Sequence, residues 1–165
     1  MQVRHHLRNF SYIDLNSFAE WLIVHDVLGF RDSAGSNLYF TKHDSGNSLL
    51  KMATPWDFDG AFNKVEDWST VHNYAWFWFP YLISNSNSAF VNAYKTAWEY
   101  LQPIISLNIW NDVENEIDKE TINSSRRMDA LRWNSEYQGV EFEIGHKKDW
   151  MKRQISFLDK SIKEL

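Results

Sequence analysis

A chain of 165 residues is the size of one compact domain and can bury a hydrophobic core of its own. Its formal net charge of −5 argues against nucleic-acid binding, which depends on clustered lysine and arginine. The absence of cysteine excludes disulfides, thiolate chemistry and cysteine-bound zinc, and no apolar run is long enough to span a membrane. Aromatic residues, at 16% of the chain, supply a core and leave some rings for an interface or groove.

Residues 1–10 are basic and include two adjacent histidines. Neighbouring histidines point apart on a helix, and no acidic partner follows at ligand spacing, so a solvated segment is favoured over a metal site. The segment has the composition of a linker that follows another domain.

A first helix is predicted after Asp14, a good N-cap residue, with a capping box of Ser17 and Glu20 as the alternative start. Gly29 is expected to end the helix. Residues at three- and four-residue steps give it one apolar face: Leu15, Phe18, Trp21, Leu22, His25 and Leu28. His25 lies on that face, where a hydrogen-bonded core histidine is favoured over a catalytic one.

A β-hairpin is predicted from residues 38–42 and 48–52, which favour strands and flank a turn rich in Asp, Ser, Gly and Asn. Antiparallel strands return the chain to its origin, so the loops at the open end of a hairpin lie together. We therefore expect Asp32 and Asn37 to come near Asp57, although 20 or more positions separate them in sequence.

These side chains are of the types that a magnesium-phosphate site requires. Phosphoryl transfer needs a carboxylate to receive the hydroxyl proton and oxygen ligands to hold Mg²⁺ against the phosphates. Asp32, Asn37 and Asp57 supply such groups, while Asp59 is either a second metal ligand or a support for its own loop. The competing interpretation is that these acids only cap turns and helices.

Three motifs carry a resemblance to the CotH-type (spore coat protein H) kinases, a divergent branch of the protein-kinase-like fold. They are residues 32–40 (DSAGSNLYF), 55–62 (PWDFDGAF) and 150–159 (WMKRQISFLD). The resemblance spans residues 10–160, and the Pro-Trp-Asp-Phe-Asp motif is its most specific part.

The resemblance implies an atypical protein kinase that uses ATP and Mg²⁺ or Mn²⁺ to phosphorylate a Ser/Thr-rich protein. Asp32 and Asn37 stand where a kinase catalytic loop has Asp-x-x-x-x-Asn, and Asp57 stands where Asp-Phe-Gly has its aspartate. Asp32 is then the catalytic base, and Asn37, Asp57 and Asp59 are the metal ligands. No residue is assigned to the nucleotide itself.

Two departures from the kinase pattern affect this interpretation. Phe30 and Ser33 stand where many relatives have Asn and Gly, and the sequence contains no Gly-x-Gly-x-x-Gly loop. A working kinase needs such a loop and a strand lysine over the phosphates. We therefore expect the chain to be the carboxy-terminal lobe of a larger protein, whose own N-terminal lobe is its missing partner. Alone, it should hold no cofactor tightly and bind ATP weakly or not at all.

The resemblance also carries an expectation about location. Relatives occur as spore-coat or exported surface proteins, which implies an extracellular, cell-surface or spore-coat protein. No membrane span and no nucleic-acid partner are expected from the sequence itself.

The second half of the chain is predicted to be helical. The expected elements are residues 89–102, ended by Pro103, residues 104–122, a helical run to Trp133, and residues 147–165 after a break bracketed by Gly139 and Gly145. The predicted fold class is thus mainly α, of the α+β type. It is a kinase-like lower lobe in one domain, residues 1–165, with one small β-hairpin carrying the site loops.

Residues 74–83 are almost continuously aromatic or aliphatic. A buried helix is favoured over a sugar-binding platform, because no polar residues alternate with the rings to bind hydroxyl groups. The competing function is a non-catalytic surface module, carbohydrate-binding or structural, that keeps the fold. Exposed Trp76, Trp78 or Trp110 in a flat row would favour that function.

Overall fold

The computed structural model describes residues 10–29, 37–62, 79–84 and 88–165. The elements in chain order are a 3₁₀ turn (Phe10–Tyr12), α1 (Leu15–Leu28), β1 (Phe40–Thr41), β2 (Lys51–Met52), α2 (Phe79–Ser84), α3 (Ser88–Leu107), α4 (Ile109–Glu116), α5 (Lys119–Trp133) and α6 (Val140–Lys163). The described part of the chain is mainly helical with one small antiparallel sheet, which confirms the predicted fold class at that level.

Helix α1 begins and ends where the sequence predicts. The Asp14 carboxylate accepts a hydrogen bond from the Ser17 backbone N–H at 3.1 Å, so Asp14 is the N-cap. Gly29 ends the helix in the left-handed region, with φ of 61°, a conformation that costs glycine little. A Cβ atom at Gly29 would lie 2.6 Å from the ring of Trp150, so the backbone here also requires a residue without a side chain.

The core lies between α1, α3 and α6. Buried side chains from these three helices include Phe18, Leu22, Ile23, Phe90, Tyr94, Trp98, Trp150, Met151 and Leu158. The hairpin packs against α1, with Met52 buried and Phe40 stacked on Phe18 at 5.9 Å. Every helix in the described ranges is too short or too polar to cross a lipid bilayer.

The hairpin has shorter strands than predicted. Phe40 pairs with Met52, and Thr41 pairs with Lys51. The backbone beyond these pairs has other partners: the Asp44 carboxylate accepts from the Gly46 N–H at 2.8 Å and the Ser48 N–H at 3.2 Å. Local hydrogen bonds of this kind compete with the ladder of a sheet. The strands therefore end early.

Next to this turn, Leu50 pairs with the start of the chain instead of with β1. Its N–H donates to the Tyr12 carbonyl at 2.8 Å, and its carbonyl accepts from the Asp14 N–H at 2.9 Å. These two bonds tie the hairpin to the N-terminus of α1. The hairpin is therefore fixed to the helix at both the cap and the apolar face.

Pro103 does not end a helix, contrary to the prediction, and α3 continues through it to Leu107. Proline removes the hydrogen bond to the carbonyl four residues earlier. Here that carbonyl belongs to Glu99, and both residues are exposed, so water can satisfy it. Leu101 and Ile105 on either side pack against the core, and their burial keeps the helix continuous.

The break predicted at Gly145 is also wrong, because α6 runs without interruption from Val140. A glycine in a helix costs about 1 kcal/mol relative to alanine, and the burial of Ile144, Trp150 and Met151 on the same helix outweighs this.

The single helix predicted for residues 104–122 is replaced by α3, α4 and α5. A cap that the prediction overlooked, Asp118, starts α5 by accepting from the Thr121 N–H at 3.1 Å.

Candidate active site

The predicted catalytic base, Asp32, follows α1 in the sequence. Residues 30–36, which include Asp32, lie outside the described residues. What the structure fixes is the point after which these residues begin. That point is Gly29, held against Trp150 of α6.

The hairpin brings Asn37 and Asp57 together. The Ala53 N–H donates to the Tyr39 carbonyl at 2.9 Å, which extends the strand pairing by one step toward the open end. Beyond that step, the Asn37 side-chain amide donates to the Asp57 carboxylate at 2.9 Å. The expected approach of the two predicted metal ligands, 20 positions apart, is thus present in the structure.

Asp57 has an unusual backbone conformation. Its φ is +62°, in the left-handed region that costs a residue with a Cβ roughly 1–2 kcal/mol. Asp and Asn tolerate this region better than other such residues. Strained residues of this kind cluster at functional sites.

Two contacts fix the Asp57 segment on the last turns of α1. The ring of Phe58 lies 5.0 Å from the imidazole of His25, and the Phe62 N–H donates to the Leu28 carbonyl at 3.1 Å. Phe62 also meets Trp150 edge-on at 5.2 Å. The helix that leads to Asp32 therefore also supports the segment that carries Asp57.

The Asn37–Asp57 pair lies at the surface. Asp57 and Asp59 are exposed and Asn37 is half-exposed. Within the described residues, no hydrogen bond joins Asp59 to the other two, and no group of three acidic or histidine residues is arranged to hold a metal ion. Asn37 thus contacts Asp57 in the structure. Asp59 is close to Asp57 in sequence but shares no hydrogen bond with the pair in the described part of the chain.

His25 lies beneath the site as a core residue, the role that the sequence favoured. It is fully buried, its Nδ1–H donates to the Trp21 carbonyl at 2.8 Å, and its ring stacks on Trp21. Burial lowers the pKa of His25 to about 4, although the Trp21 carbonyl and the Asp26 carboxylate raise it. The imidazole is therefore neutral at neutral pH and packs as an aromatic ring under Phe58.

The next residue after His25, Asp26, belongs to a buried polar cluster that the sequence interpretation missed. Asp26 is fully buried, accepts a hydrogen bond from the Tyr94 hydroxyl, and has its backbone carbonyl bonded by the Gln154 amide at 2.6 Å. Burial and the Asp26 carboxylate raise the pKa of the Tyr94 hydroxyl. The sequence did indicate that Asp26 is buried, because Asp26 is four residues after Leu22 and therefore lies on the apolar face of α1.

Trp110, one of three tryptophans proposed for a carbohydrate platform, is half-buried and faces Phe62, with ring centroids 6.5 Å apart. It therefore packs against the end of the Asp57 segment and not in an exposed row. Trp76 and Trp78 lie outside the described residues.

The fold and site define a mainly helical protein in which a short hairpin presents an amide and an acid at its open end. A family model described as CotH kinase protein matches residues 9–158, so this chain belongs to the CotH kinase family. Neither the search of curated proteins nor that of solved structures gave a match.

Proposed function

We propose that the intact protein transfers the γ-phosphoryl group of ATP to a Ser or Thr hydroxyl of a protein substrate. The observation that supports this most directly is the contact of Asn37 with Asp57 at the open end of the hairpin. Membership of the CotH kinase family supports the same reaction class.

The side chains at this point fit a divalent cation. Mg²⁺ and Mn²⁺ prefer carboxylate and carbonyl oxygen ligands, and both residues carry such atoms near solvent. Half a turn of the Asn37 amide exchanges its NH₂ group for its oxygen. Asp57 and Asn37 would hold the metal, with Asp59 as a further ligand; when bound, the metal neutralises charge on the phosphate oxygens.

Asp32 is assigned as the base, on the strength of the family resemblance. Its carboxylate would take the proton of the attacking hydroxyl as the new oxygen–phosphorus bond forms and ADP leaves. The contacts of His25 and Leu28 with the Asp57 segment support a shared scaffold for base and metal ligands. Correct placement of reacting groups supplies much of the rate enhancement in phosphoryl transfer.

The test is phosphate transfer from labelled ATP by the full-length protein, with Mg²⁺ or Mn²⁺ and a Ser-rich peptide. We expect transfer that falls at least about a hundredfold in Asp32→Ala and in Asp57→Ala. Asp129→Ala is the matched control, because it removes an exposed carboxylate from α5. Absence of transfer, or transfer unchanged by Asp32→Ala, would contradict the proposal.

A further inference from the structure

A pocket of about 440 Å³ opens between the end of the Asp57 segment and the first turns of α6. Phe62 forms one wall, and Phe142, Glu143, His146 and Lys147 of α6 contribute to the others. The pocket is thus built by the segment that follows the proposed metal ligands and by a helix that is part of the core.

The charges around this pocket do not cancel. Glu143 is neutralised by Arg126 of α5 at 3.1 Å, and the neighbouring Lys148 is neutralised by Glu114. Lys147, by contrast, has no carboxylate within ion-pair distance in the described part of the chain. Its ammonium group instead lies 5.5 Å from the centre of the Phe62 ring. In a protein of net charge −5, the pocket therefore keeps a positive charge of its own.

The polar groups beside Lys147 are suited to an oxyanion. His146 and Gln138 line the same pocket, and a glutamine amide can donate hydrogen bonds. His146 is held parallel to Phe142, with the ring centroids 6.4 Å apart. A phosphate monoester has up to two negative charges and three acceptor oxygens, so it can use several donors at once, whereas a carboxylate uses fewer.

We propose that this pocket binds a phosphate monoester, with the phosphate at Lys147, His146 and Gln138 and the carbon-bearing part against Phe62 and Phe142. Binding there requires no metal at Asp57. A phosphorylated side chain and a mononucleotide both carry this group.

The experiment measures binding to the full chain by NMR titration without divalent metal, using O-phosphoserine, AMP and inorganic phosphate as probes. Glutamate serves as the carboxylate comparator. We expect saturable binding of at least one monoester, weakened about tenfold or more in Lys147→Gln. Lys147→Arg should retain binding, and Lys152→Gln, which removes an exposed charge from the same helix, should leave it unchanged. The preferred probe distinguishes a side-chain phosphate from a nucleotide.

Three results would overturn the proposal: no saturable binding of any monoester, equal binding of glutamate, or equal weakening by Lys147→Gln and Lys152→Gln. Asp57→Asn separates this pocket from the proposed catalytic site. Monoester binding should survive that substitution even where phosphoryl transfer is lost. Loss of monoester binding in Asp57→Asn would place the ligand at Asp57 and contradict the pocket assignment.

Discussion

Asp26 of α1 and Asp57 of the segment packed on α1 each accept a hydrogen bond from a neutral side chain, but their surroundings are opposite. Asp26 is fully buried and receives the Tyr94 hydroxyl between helices α1 and α3. Asp57 is exposed and receives the Asn37 amide across the end of the hairpin. Similar hydrogen bonds therefore have different consequences in the two places.

The difference lies in what can replace the donor. A buried carboxylate that loses its partner has no water to take its place, so the cost of desolvation remains. At Asp57, water or a cation can replace the Asn37 amide with little loss. The buried pair therefore contributes to the stability of the helical core, and the exposed pair is available for binding.

The largest expected effect is a loss of stability at acid pH, and it comes from His25, a buried residue next to Asp26 in α1. The folded pKa of His25, about 4, lies below the ordinary value of 6.5, so the unfolded chain binds the extra proton first. The folded protein keeps His25 neutral. The resulting contribution to the free energy of unfolding is present above pH 6.5 and is lost as the pH falls toward 4. The loss approaches about 3 kcal/mol.

Urea unfolding between pH 7 and pH 4 measures this dependence. His25→Gln should flatten the pH profile in that interval. An identical profile in His25→Gln would show that His25 does not control the acid response.

Tyr94→Phe tests the buried pair directly. It leaves the Asp26 carboxylate without the Tyr94 hydroxyl, and the free energy of unfolding should fall by about 1–3 kcal/mol. Tyr100→Phe is the matched control, since Tyr100 lies on the same helix with 70% of its surface exposed, and it should change stability by less than about 0.5 kcal/mol. Equal effects of the two substitutions would remove the distinction between buried and exposed donors.

Asp57→Gly should raise the free energy of unfolding by up to about 1 kcal/mol, because glycine relieves the left-handed strain. The same substitution should abolish phosphoryl transfer. Asp59 is outside the set of positive-φ residues, so Asp59→Gly should destabilise the fold by about 0.5–1 kcal/mol through the entropy of the unfolded chain. Chemical denaturation of the two variants gives the comparison. A loss of stability in both would show that Asp57 is not strained.

The smallest expected effect is that of Asn37→Ala. Removing an exposed hydrogen bond should change the free energy of unfolding by less than about 0.5 kcal/mol. Phosphoryl transfer at low Mn²⁺ should decrease, because the substitution removes a proposed metal ligand. Transfer assays over a Mn²⁺ series, with Asn47→Ala in the exposed turn as control, provide the measurement. A decrease in stability as large as that of Tyr94→Phe would contradict the division proposed above.

Local chemistry in the sequence predicted the parts of the fold that depend on it. Asp14 and Gly29 delimit α1 because capping is decided by one or two residues, and the hairpin followed from its turn residues. The contact of Asn37 with Asp57 followed from the hairpin geometry. These features can be predicted without knowledge of the remainder of the chain.

Two of the wrong predictions, those at Pro103 and Gly145, depended on tertiary packing. Pro103 and Gly145 disfavour helices locally, yet both lie inside helices whose neighbouring residues are buried. The Tyr94 partner of Asp26, 68 positions away, likewise depends on a distant segment. A short stretch of sequence does not identify that partner.

We propose that Asp57 holds the divalent metal used in phosphoryl transfer, and Mn²⁺ binding measured by electron paramagnetic resonance tests this most directly. The full-length protein, titrated with Mn²⁺ in the presence of a non-hydrolysable ATP analogue, should show a saturable site that disappears in Asp57→Ala and persists in Asp129→Ala. Retention of that site in Asp57→Ala, with unchanged affinity, would contradict the account.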